Sequence, residues 1–195
     1  MAFYFVRHAR VAYPPGLCYG STDVPADTAH TAQSAVRLAQ ALPFGLTVIC
    51  SPLTRCVQLA QALRSLRPDL DFVCDTRIAE MDFGSWEGIP WAHIPRADLD
   101  AWATDFGDYR VGGNTSVNAF LARIGTAWDD CAALRALSHG GVVWISHAGV
   151  ARAVQWLTMG RRLAGLASEW PQDGIGYGVL WAPTLPASPT LAITT

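Results

Sequence analysis

Three short segments of this chain carry residue types that suit chemistry on a tetrahedral anion: Arg7-His8, Ser51-Pro52-Leu53-Thr54-Arg55 and Ser146-His147-Ala148-Gly149. Arginine forks match phosphate oxygens two at a time and stay charged at every relevant pH. A neutral imidazole beside them can attack phosphorus or hydrogen-bond its oxygens. Neighbouring arginine charge disfavours the imidazolium, so each histidine is expected to be unprotonated and nucleophilic near neutrality. No metal-ligand spacing such as H-E-x-x-H is present. Phosphoryl transfer depends mainly on positioning and charge stabilisation, so a His/Arg site can replace a metal. A proton donor for the leaving oxygen is also required. Glu80, within Ala79-Glu80-Met81-Asp82-Phe83-Gly84, has apolar and aromatic neighbours, a setting that favours the protonated form of a carboxyl group. Asp82 and Glu87 compete for the role, and spacing does not choose among the three.

These groups must be brought together by the elements around them. Short apolar runs alternate with longer Ala-rich amphipathic stretches, the pattern of an α/β fold. Ala2 to Val6 reads as a first buried strand, followed by a Pro/Gly loop from Tyr13 to Pro25. A helix is predicted from Thr28 to Leu42, with Ala32, Ala35, Val36, Ala39 and Leu42 at helical spacing. Leu46 to Cys50 is a second strand, and Ser51-Pro52 is the expected cap and first turn of a helix running to Leu66. Asp71 to Cys74 suits a third strand. Residues 78 to 113 break the alternation: they hold Trp86, Trp91 and Trp102 and a short helix near Ala97 to Ala103. They read as an excursion over the sheet that carries aromatics to a pocket mouth, or as a satellite hydrophobic cluster. A helix from Ser116 to Leu137, a strand from Gly141 to Ile145 and a helix from Ala148 to Met159 follow. Tyr177 to Trp181 and Leu191 to Thr194 suit edge strands, punctuated by Pro183, Pro186 and Pro189.

The three chemical segments each follow a predicted strand. In a parallel sheet with helical crossovers the strand C-termini gather at one edge, where ligands bind. Two of the turns also open helices, whose free N–H groups and positive dipole end attract anions. Taken singly, a histidine after a strand or a lone arginine is ordinarily a packed or solvated polar residue. Convergence of matched groups from three separate segments is what those ordinary readings do not require.

Composition narrows the field. The chain has 195 residues, of which 51% are hydrophobic and 15% charged, so it has ample apolar mass for one packed domain spanning residues 1–195. Disorder is excluded. Sparse charge points to apolar surface that meets a ligand or another subunit, as in a homodimer. Net charge is −2 and every basic residue is arginine. No basic stripe suggests a nucleic-acid partner. The five cysteines show no paired spacing, and Cys50 and Cys56 sit in apolar runs as small hydrophobes. A reduced, cytoplasmic setting is expected, without a metal cluster. The opening apolar run of five residues is too short for a signal peptide or membrane span.

With these segments in view, the chain resembles the histidine phosphatase superfamily, in its phosphoglycerate-mutase-like branch, over essentially its whole length. The resemblance rests on Val6-Arg7-His8, Tyr19-Gly20-Ser21-Thr22-Asp23-Val24-Pro25, Ser51-Pro52-Leu53-Thr54-Arg55, Gln58-Leu59-Ala60, Glu80-Met81-Asp82-Phe83-Gly84-Ser85-Trp86-Glu87-Gly88, Gly112-Gly113-Asn114-Thr115 and Ser146-His147-Ala148-Gly149-Val150. It implies a three-layer α/β sandwich, with a mixed, mostly parallel sheet between helices. It further implies metal- and cofactor-free hydrolysis of a small phosphomonoester through a phosphohistidine on His8. Arg7, Arg55 and His147 would hold the phosphoryl group, Glu80 would be the proton donor, and Ala148, Tyr19 and Gly20 would contact substrate. The run from Pro14 to Pro25 looks most like α-ribazole-5′-phosphate phosphatases of cobalamin synthesis. Trp86, Trp91 and Trp102 are candidate walls for an aromatic leaving group.

Several positions depart from the family pattern. Ala9 replaces the usual Gly after the first histidine, Arg10-Val11 replaces an acidic-Thr pair, His30 stands where Gly opens the first helix, and Asn114-Thr115 replaces Glu-Ser. A sugar-phosphate mutase is the nearest rival, but spare basic residues for a second anion are few. An inactive phospholigand-binding protein is a further alternative, against which retention of Glu80 argues.

Overall fold

In the computed structural model, which describes residues 2–137 and 141–184, four parallel strands and one antiparallel edge strand form a single sheet. In chain order these are β1 (Phe3–Arg7), β2 (Thr47–Cys50), β3 (Asp71–Cys74), β4 (Val142–Ser146) and β5 (Leu180–Trp181). Their spatial order is β3-β2-β4-β1-β5, with only β5 antiparallel. The helices are α1 (Thr28–Ala41), α2 (Thr54–Leu66), α3 (Arg96–Thr104), α4 (Val117–Leu137) and α5 (Ala148–Thr158).

Central strand β4 is buried along its whole length, because a parallel strand covered on both faces presents apolar side chains both ways. Val143 and Ile145 pack with Val6, Val48 and the apolar stripes of α1 and α2. Val142 and Trp144 pack with Phe3, Phe5 and residues of α4 and α5. The Trp144 ring meets Phe3 edge-on, with centroids 5.4 Å apart. Thus α1 and α2 lie on one face, α4 and α5 on the other, and the fold is the expected three-layer α/β sandwich. Among the described residues no helix is long and apolar enough to cross a membrane.

Two local expectations change, and a third falls outside the described residues. The helix after β2 starts at Thr54 rather than on a Ser51-Pro52 cap. Its first turn is held instead by Asp23, which accepts hydrogen bonds from the Thr54 backbone N–H and hydroxyl, each at 2.7 Å. Ser51 is turned inward to His147, and its hydroxyl reaches only the Leu53 N–H at 3.4 Å, one residue short of the helix. The Tyr177–Trp181 strand shortens to Leu180–Trp181, because the Gly178 N–H bonds the Arg7 and His8 carbonyls and bends the chain there. The strand expected at Leu191–Thr194, with Pro186 and Pro189, lies outside the described residues.

The irregular stretch from 78 to 113 contains α3 and short 3₁₀ turns. Its residues Met81, Trp86, Ile94, Phe106 and Val111 join the core on the α4/α5 face. At Gly84 and Gly112 the two limbs of this excursion press together. Both have positive φ, and a side chain at Gly112 would lie 1.9 Å from the Phe83 carbonyl oxygen. Only glycine fits so close a backbone approach.

Candidate active site

Strand register does most of the positioning. Arg7 of β1 stands opposite Ser146 of β4, so the next residues, His8 and His147, emerge side by side with ring centroids 5.3 Å apart. Ser51, following β2, donates its N–H to the Ile145 carbonyl at 3.0 Å. The three chemical segments therefore meet at the C-terminal edge of the parallel strands, where the helix N-termini of α2 and α5 also open.

His8 is buried, and its Nδ1 lies 2.7 Å from the Ala9 carbonyl oxygen. A carbonyl can only accept, so Nδ1 carries the proton and Nε2 presents a lone pair. Burial lowers the His8 pKa to about 3, assisted by the charges of Arg55 and Arg7 and opposed by the Ala9 hydrogen bond. Removal from water outweighs the arginine charge invoked from sequence alone. Because the Ala9 main chain makes the bond, replacing Gly there costs nothing in tautomer control.

His147 is fully buried and its pKa is held well below the ordinary value, first by desolvation and then by Arg55. Its Nδ1 accepts from Arg55 Nε at 3.2 Å, and its Nε2 lies 2.7 Å from the Ser51 hydroxyl. Arginine only donates, so in this arrangement Nδ1 is bare and Nε2–H donates to Ser51. The Cys56 thiol packs 3.6 Å from the same Nε2. Burial pushes this thiol's pKa well up, so it remains protonated.

The two guanidinium groups are held differently. Buried Arg55 also donates to the Thr22 carbonyl at 2.8 Å and the Gly20 carbonyl at 2.6 Å. Arg7 lies 3.7 Å over the Tyr177 ring and donates to the Ile175 carbonyl at 3.1 Å. Its Nε is buried and, among the described residues, without a partner. Such a donor beside His8 is costly unless a ligand supplies the acceptor. Tyr177 also faces His8, with rings 5.5 Å apart, and its hydroxyl meets that of Tyr19 at 3.0 Å. Tyr177 was legible only as part of an edge strand; its place beside Arg7 follows from the Gly178 turn.

Geometry separates the three carboxylates. Glu87 accepts from the backbone N–H groups of Gly20, Ser21, Thr22 and Phe83, and from the Thr22 hydroxyl. Burial alone would raise its pKa, but these hydrogen bonds prevail and lower it. Asp82 accepts from the Gly84 N–H at 2.8 Å in a local turn. Glu80 reaches the opening of α5: Oε2 accepts from the Gly149 N–H at 2.9 Å and Oε1 from its neighbour Met81 at 3.0 Å. A Cβ at position 149 would lie 2.3 Å from Oε1, so any larger residue there would push the carboxylate aside. Arg123 donates to the Glu80 carbonyl at 3.1 Å and anchors the segment to α4.

Beside Glu80 opens a cavity of about 460 Å³, bordered by Ala148, Gly149 and Arg152 and walled by Trp102, Phe106, Phe120 and Trp170. Of the three tryptophans named from sequence, only Trp102 lines it. Trp86 is core, with its ring 5.8 Å from Trp102, and Trp91 packs on Phe83 and Trp86 from outside. Trp170 and Arg152 carried no sequence signal. Gly20 is outside the lining: it supplies a carbonyl to Arg55 and lies against Met81 and Phe83. Of the departures, Arg10 is exposed and its N–H donates to His30 Nδ1 at 3.2 Å, which fastens the two substituted positions to each other. Among the described residues no cluster of three or more His, Cys, Asp or Glu side chains is placed to hold a metal ion.

The sequence profile of the histidine phosphatase superfamily, branch 1, matches residues 3–173. No curated protein matches significantly. Among solved structures the chain is similar to a mycobacterial glucosyl-3-phosphoglycerate phosphatase in complex with VO₃, with 21% identity and TM-score 0.76, covering 91% of this chain and 88% of that one. It is similar to a putative α-ribazole-5′-phosphate phosphatase from Escherichia coli, with 21% identity and TM-score 0.76, covering 93% and 89%. A structure described as mycobacterial hydrolase 2 shares 24% identity and TM-score 0.74, covering 93% and 83%. At these identities the solved structures speak to fold.

Proposed function

This chain belongs to the histidine phosphatase superfamily, branch 1, and we propose that it hydrolyses phosphomonoesters through a phosphohistidine on His8. The observation that carries this reading is the tautomer of His8: Nδ1 is committed to the Ala9 carbonyl, leaving Nε2 as a buried, unprotonated nucleophile beside the uncommitted Nε of Arg7.

In this mechanism Nε2 attacks phosphorus opposite the ester oxygen. A P–N bond forms as the P–O bond breaks, and Glu80 gives its proton to the departing alkoxide. Arg7 and Arg55 hold the equatorial oxygens, together with the N-terminal field of α5. His147 keeps Arg55 aimed at them, its bare Nδ1 accepting from Arg55 Nε and its Nε2–H held by the Ser51 hydroxyl. Water then attacks phosphorus, Glu80 takes its proton, and the P–N electron pair returns to Nε2 as inorganic phosphate leaves.

Among phosphomonoesters, α-ribazole-5′-phosphate is the substrate we favour. The aromatic cavity beside Glu80 suits its flat benzimidazole, and the Pro14–Pro25 run resembles enzymes acting on it. A panel of phosphomonoesters that includes α-ribazole phosphate and 3-phosphoglycerate tests the preference. For the reaction itself, p-nitrophenyl phosphate turnover with EDTA present should disappear in His8→Ala. Quenching in alkaline detergent should trap phosphate on His8 that survives base and is lost in acid; acid-stable label would defeat the assignment.

A further inference from the structure

The cavity beside Glu80 holds a charge that the hydrolytic step leaves unused. Arg152 lies on α5 one turn beyond Ala148 and Gly149, on the same helix face, and lines the cavity with them. Among the described residues it has no hydrogen-bond or carboxylate partner. Other arginines of this chain do: Arg77 pairs with Asp75, Arg161 with Glu169 and Arg162 with Asp129. The guanidinium tip instead lies beside Gly174, where a Cβ would be 3.7 Å away. Arg152 is half-buried and lines the same cavity as Trp102, Phe106, Phe120 and Trp170.

A half-buried guanidinium with no acceptor of its own is free to donate to a ligand in the cavity it lines. A ligand pocket typically pairs such walls with a few polar groups that fix orientation. Resting on the phosphomonoesterase reading above, we infer that Arg152 determines specificity by donating to an acceptor on a flat aromatic leaving group. The substrate class is thus a phosphomonoester whose leaving group carries a ring with a ring nitrogen or carboxylate. The ring packs between the aromatic walls, its acceptor meets Arg152, and its ester oxygen lies at Glu80. A small polyanionic sugar phosphate would leave the walls uncovered.

The test compares wild type with Arg152→Met on 2-naphthyl phosphate, 6-quinolinyl phosphate and 6-carboxy-2-naphthyl phosphate. Hydrogen bonds to charged groups predict a loss of roughly 10- to 100-fold in kcat/KM on an acceptor-bearing ester. Turnover of 2-naphthyl phosphate should stay within about threefold, which also reports an intact site. A loss confined to the quinolinyl ester identifies a neutral heterocycle, and one confined to the carboxylate an anion; both support the role. Equal change on all three esters, or no change, overturns it while His8-dependent turnover leaves the parent reading standing. Failure of wild type to hydrolyse any of the three overturns the aromatic leaving group, and the parent reading falls with it only if p-nitrophenyl phosphate is also left intact.

Discussion

Glu87 and Arg55 grip opposite sides of one short loop. The carboxylate takes the N–H groups of Gly20, Ser21 and Thr22, and the guanidinium takes the carbonyls of Gly20 and Thr22. Arg55 in turn donates to His147. A residue with no chemistry of its own thereby sets the aim of a cation and a histidine through three peptide units.

Loosening that grip should be felt at the anion. Glu87→Ala leaves several inward-facing N–H groups unpaired, each costing about 1–3 kcal/mol, and should lower unfolding stability by about 3 kcal/mol in urea titration. Glu87→Gln keeps one acceptor oxygen and should fold. Its vanadate inhibition constant should rise about tenfold, the equivalent of roughly 1.4 kcal/mol. An unchanged constant would show that the loop keeps its shape without the charge.

The hydroxyl of Ser51 accepts the Nε2–H of His147 and so leaves Nδ1 bare for Arg55. Ser51→Ala removes the acceptor of a fully buried N–H and should cost about 1–3 kcal/mol of stability. Without that partner His147 no longer holds Arg55 in place, and kcat should fall about tenfold, the equivalent of roughly 1.4 kcal/mol, while the variant remains folded at room temperature. A stability loss with normal kcat would mean that Arg55 keeps its aim without His147.

Position 149 tests Glu80 without touching it. In Gly149→Ala the new methyl would lie 2.3 Å from Oε1, so the carboxyl group must move. General acid catalysis contributes about 10²–10⁴-fold. Alkyl phosphates, whose leaving groups need a proton, should therefore slow about a hundredfold. p-Nitrophenyl phosphate should slow much less, and phosphate inhibition should be unchanged. Equal slowing of both esters would count against Glu80 as the acid.

Stability should depend on pH with a sign set by His8. Its folded pKa of about 3 lies below its unfolded value of 6.5, so the unfolded chain binds a proton that the folded chain does not. The stabilisation is present above about pH 6.5 and is lost as pH falls toward 3. Between pH 7 and pH 5 this group alone should remove about 2 kcal/mol, and buried His147 acts in the same direction. Urea midpoints measured against pH should show that decline, and His8→Gln should flatten it. Equal slopes in the two proteins would place the His8 imidazole in contact with solvent.

By itself the sequence determined the layered α/β fold and the gathering of Arg7, His8, Arg55 and His147. Both follow from local rules: apolar runs of strand length, amphipathic stretches at helical spacing, and the requirement that parallel strands end at one edge. Three decisions belonged to tertiary structure alone. Glu80, Asp82 and Glu87 are chemically alike and within seven residues of each other, and only the approach of Gly149 to one and of the Gly20–Thr22 loop to another separates their work. Ser51 reads as a helix cap until strand register brings His147 within 2.7 Å of its hydroxyl. Trp170 and Arg152 carry no motif, and they line one cavity with Trp102 because α5 borders the excursion and Trp170, beyond α5, packs on its Phe106. In each case the deciding contact joins residues far apart along the chain, a distance across which residue spacing carries no information.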